Sequence, residues 1–224
     1  MASSILIINP NSSPSISVGL EQVLKPPSGF TFDFFTGPAG GPLQIDSVTT
    51  EITSAANCLP ALLPLLSRYD GFLVACYSDH PLTHALREHT TKPVIGIFQA
   101  SVLASFALTG KFAIVTTGKI WESLLDEGVR AFLGARTSQF VGTFSTGLGV
   151  LELHSASEDL ISNSIGTAAT KAVTNGATII CLGCAGMVGM EKNIKKAVGE
   201  KIKVVDGVIA GVELLIGLIR QGYK

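Results

Sequence analysis

Charge is scarce in this chain. Only 15% of the 224 residues are charged, the formal net charge is −1, and no run of Lys or Arg exceeds two residues. Nucleic acids and anionic membranes attract proteins through dense positive charge. The sequence therefore predicts neither a nucleic-acid partner nor a membrane partner.

Long apolar runs are missing as well. No segment approaches the roughly 18 consecutive apolar residues that cross a bilayer. Residues 1–4 lead directly into the apolar residues 5–8 without a basic segment, so we expect no secretion signal. Four cysteines without such a signal are typical of a reducing compartment, where thiols stay free. These features predict a cytoplasmic protein.

Two short motifs fall below what a cofactor site needs. Cys181 and Cys184 form a CxxC, but no second CxxC and no nearby His pair complete a zinc site. Gly147 and Gly149 begin a dinucleotide pattern, but Glu152 occupies the place of its third glycine. The motifs therefore support neither a zinc site nor a nicotinamide cofactor.

Apolar residues, in contrast, make up 46% of the chain and are organised in short runs. β-Branched runs alternate with longer stretches of helical period, which is typical of parallel sheets covered by helices. Several runs are apolar throughout, as strands buried on both faces should be. The predicted strands are Ser4–Ile8, Phe30–Phe35, Gly71–Ala75, Val94–Gly96, Phe112–Thr116, Thr137–Thr143, Thr178–Leu182 and Lys203–Val205.

The helical stretches lie between these strands. They are Ser15–Leu24, Ser47–Arg68, His80–His89, Ala100–Leu108, Lys119–Leu133, Ser157–Thr174, Met187–Val198 and Val208–Gln221. Pro60 and Pro64 should kink or divide the second helix. Two compact α/β halves fit this pattern better than one wide sheet. We expect residues 1–97 with 207–224 to form the first domain and residues 98–206 the second.

Thiols follow predicted strands in both halves. Cys76 comes directly after Gly71–Ala75, and Cys184 follows a strand that contains Cys181. Cys76 lies five residues after Gly71, and Cys181 lies five residues after Gly176, so this spacing pairs Cys76 with Cys181. Strand geometry favours Cys184, because ligand sites of parallel sheets lie beyond the carboxyl ends of the strands. A thiolate on one side of a carbon atom can remove the proton from that carbon, while a thiol on the opposite side delivers a new one. A racemase without a cofactor requires this pair of transfers.

Both thiols precede predicted helices, whose first-turn N–H groups favour a nearby negative charge. Asp79 is expected to cap the helix after Cys76. Polar groups also follow two other strands, with Asn11 after the first and Thr116 and Thr117 after the fifth. Together these strand ends predict one pocket for a small polar molecule.

Several of these segments also resemble those of hydantoin and allantoin racemases, in the same order and spacing. They are Ile7–Ser13, Gly37–Pro42 ahead of Ile45, Ala75-Cys76 with Ser78-Asp79, Pro93–Ile97, and Leu182–Met187. The chain resembles this family, and in particular the fungal branch of the family. The family lies within the aspartate/glutamate racemase superfamily. Tyr77 and Gln99 depart from the usual pattern, where glycine and an acidic residue are common.

The resemblance implies two Rossmann-like domains that face each other, with the active site in the cleft between them. It implies that Cys76 and Cys184 are catalytic and that neither a metal nor an organic cofactor is needed. It further implies that the substrate ring is held by Asn11, Thr116, Thr117 and the backbone after each cysteine, at Tyr77, Ser78, Ala185 and Gly186. Ile45 and Tyr77 would shape the pocket for the substituent, with Tyr77 either stacking on the ring or filling the core.

The resulting hypothesis is a racemase that acts on a five-membered ureide ring, such as allantoin or a 5-substituted hydantoin. Two alternatives stay open. One is an isomerase or decarboxylase of the same superfamily that acts on an open-chain acid. The other is a non-catalytic protein that binds a small metabolite. The high apolar fraction is also compatible with a homo-oligomer.

Overall fold

Two parallel β-sheets of four strands each form the framework of the protein. The computed structural model describes residues 2–224, except for the side chain of His154. Its strands are β1 (Ser3–Asn9), β2 (Phe30–Thr36), β3 (Gly71–Val74), β4 (Val94–Gly96), β5 (Phe112–Thr116), β6 (Phe140–Ser145), β7 (Ile179–Gly183) and β8 (Lys203–Asp206). The strand orders are β2-β1-β3-β4 and β6-β5-β7-β8. The predicted α/β fold with two parallel sheets is confirmed, and the second sheet repeats the order of the first.

Helices connect and cover these strands. They are α1 (Pro14–Val23), α2 (Val48–Leu62), α3 (Pro81–His89), α4 (Ile97–Ala107), α5 (Ile120–Leu133), α6 (Glu152–Ser155), α7 (Glu158–Thr174), α8 (Glu191–Val198) and α9 (Gly207–Arg220). Two short 3₁₀ helices, Leu63–Arg68 and Ala185–Met187, complete the connections. None of the helices in residues 2–224 has the length and apolar character that crossing a membrane requires.

Successive side chains of the central strands point to opposite faces of the sheet, and both sets are apolar, so both faces of each sheet are buried. In β1, Ile5 and Ile7 belong to a core that also contains Phe112 and Ile114 of β5. The alternate residues of β1 face a second core, which includes residues of α2 and α3. The alternate residues of β5 face a third core, which includes residues of α7 and α8. One continuous apolar core therefore joins the two sheets, and each sheet has a separate core on its other face.

The last helix returns to the first sheet. Helix α9 contacts β3 and β4 and packs along α4, which itself contacts β4, β7 and β8. Gly207 allows the close approach at the start of α9, because a Cβ there would lie 2.6 Å from the carbonyl oxygen of Ile97. The division into domains at residues 97/98 and 206/207 stays a prediction.

Strand β6 lies further along the chain than predicted. It covers Phe140–Ser145 rather than Thr137–Thr143. The backbone N–H of Gln139 donates to the Thr137 hydroxyl over 3.1 Å. This local bond holds the segment before Phe140 in a turn and delays the start of the strand.

Two helices differ from the prediction, whereas the expected division of the second helix is confirmed. The stretch from Met187 to Val198 is divided, because Gly189 adopts a φ of 77° between a 3₁₀ turn and α8. Helix α4 begins at Ile97, directly after β4. Pro60 lies inside α2, and the helix gives way to a 3₁₀ segment at Leu63, just before Pro64.

Candidate functional site

The carboxyl ends of the four central strands meet at one cavity of about 430 Å³. Strands β1 and β3 are neighbours in the first sheet, and β5 and β7 occupy the equivalent positions in the second. The lining residues of the cavity are Pro10, Asn11, Ile16, Ile45, Ala75, Cys76, Tyr77, Thr116, Thr117, Trp121, Val150, Gly183, Cys184, Ala185 and Gly186.

Every residue that the sequence singled out for the site lines this cavity, except Ser78. Ser78 lies behind it, with its hydroxyl oxygen 3.9 Å from the Cys76 sulfur. Sequence reasoning missed Ile16, Trp121 and Val150. Trp121 lies in the first turn of α5, close after Thr117, and this nearness to a strand end is the signal that could have identified it. Ile16 and Val150 carry no comparable signal.

Cys76 and Cys184 are partly exposed, and both line the cavity. Burial raises the pKa of Cys184 to about 11, although the backbone N–H groups of Gly186 and Met187 lower it. Burial also raises the pKa of Cys76, and the charges of Glu51 and Cys184 raise it further. The N–H groups after Cys184 favour its thiolate, as expected, but the loss of solvation outweighs them.

The other two cysteines lie outside the cavity. Cys181 is fully buried inside β7, where its sulfur lies 3.0 Å from the Ser105 hydroxyl oxygen. The Cys58 thiol is also fully buried and donates to the Pro10 carbonyl over 3.2 Å. Of the two candidates in the CxxC, the structure therefore brings Cys184 rather than Cys181 to the cavity that contains Cys76.

Hydrogen-bonding groups remain available on the cavity wall. The Thr116 hydroxyl donates to the Gly183 carbonyl over 2.7 Å, so it links β5 to β7. The Asn11 side-chain oxygen accepts from the backbone N–H of Ser13 over 2.9 Å. In the part of the chain that the structure describes, the Asn11 side-chain nitrogen and the Thr117 hydroxyl have no hydrogen bond to protein. These two groups can therefore bind a ligand without losing a partner.

Tyr77 fills the core beneath the cavity. Its side chain is 5% exposed, and its hydroxyl oxygen lies 2.6 Å from that of Ser101. Its ring meets the ring of Phe98 edge-on, with the centroids 5.7 Å apart. Tyr77 therefore anchors the loop that carries Cys76 and contributes only part of its surface to the cavity.

The predicted helix cap at Asp79 was wrong. His80 is the N-cap of α3, and its Nδ1 accepts from the backbone N–H of Leu82 over 3.2 Å. Asp79 instead binds side chains, with its Oδ1 2.9 Å from His84 Nε2 and 3.0 Å from Gln99 Nε2. Gln99 therefore positions Asp79 and does not line the cavity.

Among the side chains that the structure describes, no cluster of three or more His, Cys, Asp or Glu has the arrangement of a metal site. None of the lining residues that the structure describes carries a charged side chain. The groups that it offers for chemistry are two thiols, hydroxyl and amide groups, and backbone N–H groups. This set suits proton transfer at a neutral molecule that presents carbonyl and N–H groups.

Comparisons with known proteins point the same way. The family described as Asp/Glu/Hydantoin racemase matches residues 5–215. An uncharacterised protein of Schizosaccharomyces pombe is 42% identical over 97% of this chain and 92% of its own length. The hydantoin racemase of Rhizobium meliloti is 31% identical over 98% of this chain and 90% of its own.

A solved structure extends the likeness to three dimensions. The allantoin racemase from Klebsiella pneumoniae superimposes with a TM-score of 0.85 at 25% identity, over 99% of this chain and 89% of that protein. The fold with two sheets is therefore shared along nearly the whole chain. The chain belongs to the Asp/Glu/hydantoin racemase family, with relatives among the fungi.

Proposed function

We propose that this protein is a cofactor-independent racemase of a five-membered ureide ring, namely allantoin or a 5-substituted hydantoin. Cys76 and Cys184 would exchange the proton of the ring carbon. The observation that carries the proposal is the position of these two thiols, which follow equivalent strands of the two sheets and line one cavity. Membership of a racemase family makes the protein an isomerase.

The neutrality of the cavity favours a ring over an open-chain acid. A free amino acid or a dicarboxylate brings full charges, and burying them without partners is costly. Among the lining residues that the structure describes, there is no Lys or Arg to pair with a carboxylate. A ureide ring brings only amide-like carbonyl and N–H groups, which match Asn11, Thr117 and the backbone of Ala185 and Gly186. The alternative of an acid substrate is therefore less well supported.

The proposed reaction needs one thiolate and one thiol. The thiolate takes the proton from the ring carbon, and the electron pair moves onto the adjacent carbonyl oxygen. Hydroxyl and N–H donors of the cavity stabilise this enolate-like oxygen. The opposite thiol then gives its proton to the other face of the carbon. The two sulfur atoms exchange roles when the other enantiomer reacts.

The raised pKa of both thiols has a kinetic consequence. With the pKa of Cys184 raised to about 11, only a small fraction of the free enzyme carries a thiolate at neutral pH. As long as the pH is below the pKa, the thiolate fraction increases about tenfold for each unit by which the pH rises. We therefore expect kcat/KM to rise with pH across the neutral range.

The proposal can be tested with single enantiomers of allantoin and of hydantoins in deuterated buffer. Polarimetry follows loss of rotation, and NMR follows exchange of the ring-carbon hydrogen. Because allantoin racemises slowly without enzyme, rates must exceed the buffer control. We expect wild-type protein to racemise at least one of these rings and both Cys76→Ala and Cys184→Ala to abolish racemisation.

Cys181→Ala is the matched control, because Cys181 lies on β7, three residues before Cys184, but outside the cavity. It should retain activity. An inactive Cys181→Ala together with an active Cys184→Ala would refute the assignment of the site. Racemisation of free amino acids but not of rings would favour the open-chain alternative. If no compound exchanges its hydrogen although one binds, the protein is a metabolite-binding protein.

Two further proposals concern the setting of the enzyme. Both thiols must stay unoxidised to transfer protons, and all four cysteines are free, so we propose a reducing compartment such as the cytoplasm. The assembly into a homo-oligomer stays a prediction, which size-exclusion chromatography with light scattering checks directly.

A further inference from the structure

The loop between β1 and α1 brings Pro10 and Asn11 to the cavity wall. Pro10 has no backbone N–H, so its carbonyl is its single hydrogen-bonding group. Two fully buried side chains of α2 donate to this carbonyl, the Ser54 hydroxyl over 2.9 Å and the Cys58 thiol over 3.2 Å. The carbonyl belongs to the peptide group that Pro10 shares with Asn11. Its orientation therefore sets the position of Asn11 at the cavity.

His80 contacts Ser54 from the loop that follows Cys76. Its ring is fully buried, and Nε2 lies 3.4 Å from the Ser54 hydroxyl oxygen. Nδ1 accepts from the backbone N–H of Leu82 over 3.2 Å, so Nδ1 carries no proton. Burial lowers the pKa of His80 to about 4, so the ring carries no charge at neutral pH. The one ring proton is therefore on Nε2, which donates to Ser54.

These bonds form a chain with a fixed direction. Because His80 Nε2 donates to the Ser54 oxygen, the hydroxyl proton of Ser54 points away from His80 and toward the Pro10 carbonyl. A serine hydroxyl inside a helix can otherwise turn back to the carbonyl four residues earlier. His80 therefore holds the Ser54 hydroxyl in the orientation that supports Pro10.

Histidine is an unusual helix cap. Ser, Thr, Asp and Asn are preferred, because one oxygen on a short side chain is enough to accept from the first turn. Such a residue in place of His80 could accept from the Leu82 N–H but would be too short to reach Ser54. The second ring nitrogen is therefore the feature of His80 that capping alone does not require.

The loop that carries Asn11 is held mainly through its backbone. The N–H of Gly37 donates to the carbonyls of Asn9 and Asn11, each over 2.9 Å, and α2 holds the carbonyl of Pro10 between them. In the Asn11 side chain, Oδ1 accepts from the Ser13 N–H over 2.9 Å. Nδ2 is left as the donor for a ligand, so its position depends on this backbone.

We propose that His80 is a positioning residue of the site, which acts through Ser54 to hold the Asn11 amide in place for a ring carbonyl. The role of Asn11 toward the ring rests on the proposed racemase function. The chain of hydrogen bonds also joins the loop after Cys76 to the loop of Asn11. A thiol and a binding group of the cavity thereby keep their relative positions.

Two substitutions separate this link from the cap of α3. His80→Asn keeps an acceptor near the place of Nδ1, so it can cap the helix, but it has no group at the place of Nε2. Ser54→Ala removes the same link and leaves the cap intact. Each should lower kcat/KM for the ring about fivefold, the order expected for the misplacement of one neutral hydrogen bond. His89→Asn is the matched control, since His89 is an exposed histidine in the last turn of α3, and it should have wild-type activity.

A background without the Asn11 amide shows whether the effect passes through Asn11. In Asn11→Ala, the further change His80→Asn should not lower kcat/KM again, because no amide is left to position. Its cost in stability, measured by urea denaturation, should be the same in both backgrounds. A merely structural role of His80 would reduce kcat/KM equally in both backgrounds, and this result would overturn the proposal. Wild-type kcat/KM in both His80→Asn and Ser54→Ala would do the same.

NMR tests the link without any substrate. Long-range ¹H–¹⁵N spectra of the labelled wild-type protein should show a proton on Nε2 of His80 and none on Nδ1. The side-chain amide signals of Asn11, assigned by their loss in Asn11→Ala, should shift in His80→Asn and in Ser54→Ala but not in His89→Asn. A proton on Nδ1, or an Asn11 amide that does not shift, would contradict the proposal. If wild-type protein racemises no ring, the racemase function fails, whereas the NMR result still decides whether His80 positions Asn11.

Discussion

Adjacent threonines at the end of β5 have different hydrogen bonds. The Thr116 hydroxyl is 2.7 Å from the Gly183 carbonyl and joins two strands. The Thr117 hydroxyl has no protein partner within the described chain, although its side chain lines the cavity. A hydroxyl group without a protein partner at a site can bind ligand at no cost to the fold. Thr116 is therefore a structural residue and Thr117 a candidate for substrate binding.

This difference predicts opposite results for two substitutions of equal size. Thr117→Val should lower kcat/KM about tenfold or more, because a ring carbonyl loses a donor, and it should change stability little. Thr116→Val should lower the free energy of unfolding by about 1–2 kcal/mol, because the Gly183 carbonyl loses its donor. Steady-state kinetics and urea denaturation measure the two effects. A large loss of stability in Thr117→Val would contradict the prediction.

At the scale of elements, the last residue of β7 controls how closely two strands approach at the cavity. A Cβ on Gly183 would lie 2.6 Å from Ile114 Cγ2 and 2.7 Å from the Val115 carbonyl oxygen. Contacts this short force backbone to move. Because Gly183 precedes Cys184, the displacement would also move a thiol of the site.

Gly183→Ala should therefore destabilise the protein by about 1–3 kcal/mol and reduce activity in the folded fraction. Gly19→Ala is the matched control, since a Cβ on Gly19 meets nothing within 4 Å and the residue lies inside α1. It should stabilise the helix by about 0.5–1 kcal/mol. Thermal denaturation and racemisation rates check both. A Gly183→Ala protein as stable and active as wild type would show that the strands separate easily.

Elements with a clear hydrophobic periodicity could be predicted from the sequence. Element ends that are set by a single hydrogen bond or a single turn could not. The alternation of Ile5 and Ile7 with their neighbours identifies a strand buried on both faces. The turn at Thr137, however, depends on one hydroxyl hydrogen bond, and the break at Gly189 depends on one backbone angle. Neither changes the apolar pattern, so the pattern alone places those ends incorrectly.

The same distinction applies to the site. Cys76 and Thr117 follow apolar strands, so the rule for parallel sheets brings them to one edge. Trp121 reaches the site from a helix, and its approach depends on how that helix packs. The raised pKa of the thiols likewise follows from how completely the surrounding loops cover them. Sequence separates these residues, and only packing brings them together.

At the scale of the whole molecule, two sheets with the same strand order share one core. Ile5 and Leu73 of the first sheet belong to the same apolar cluster as Phe112 and Ile179 of the second. Helices α4 and α9 pack together across the same region. A large apolar interface of this kind leaves little freedom for the halves to separate. The cavity is therefore held by the core beneath it.

This shared core predicts that both halves unfold together in one transition. The single tryptophan, Trp121, belongs to the second half of the chain and reports unfolding there by fluorescence, whereas far-UV circular dichroism reports all helices. In urea the two signals should have the same midpoint. The destabilised Gly183→Ala variant provides the decisive control, because a cooperative molecule should shift both signals equally. If only the fluorescence shifts, the second half unfolds alone, and the apolar contacts between the sheets are too weak to couple them.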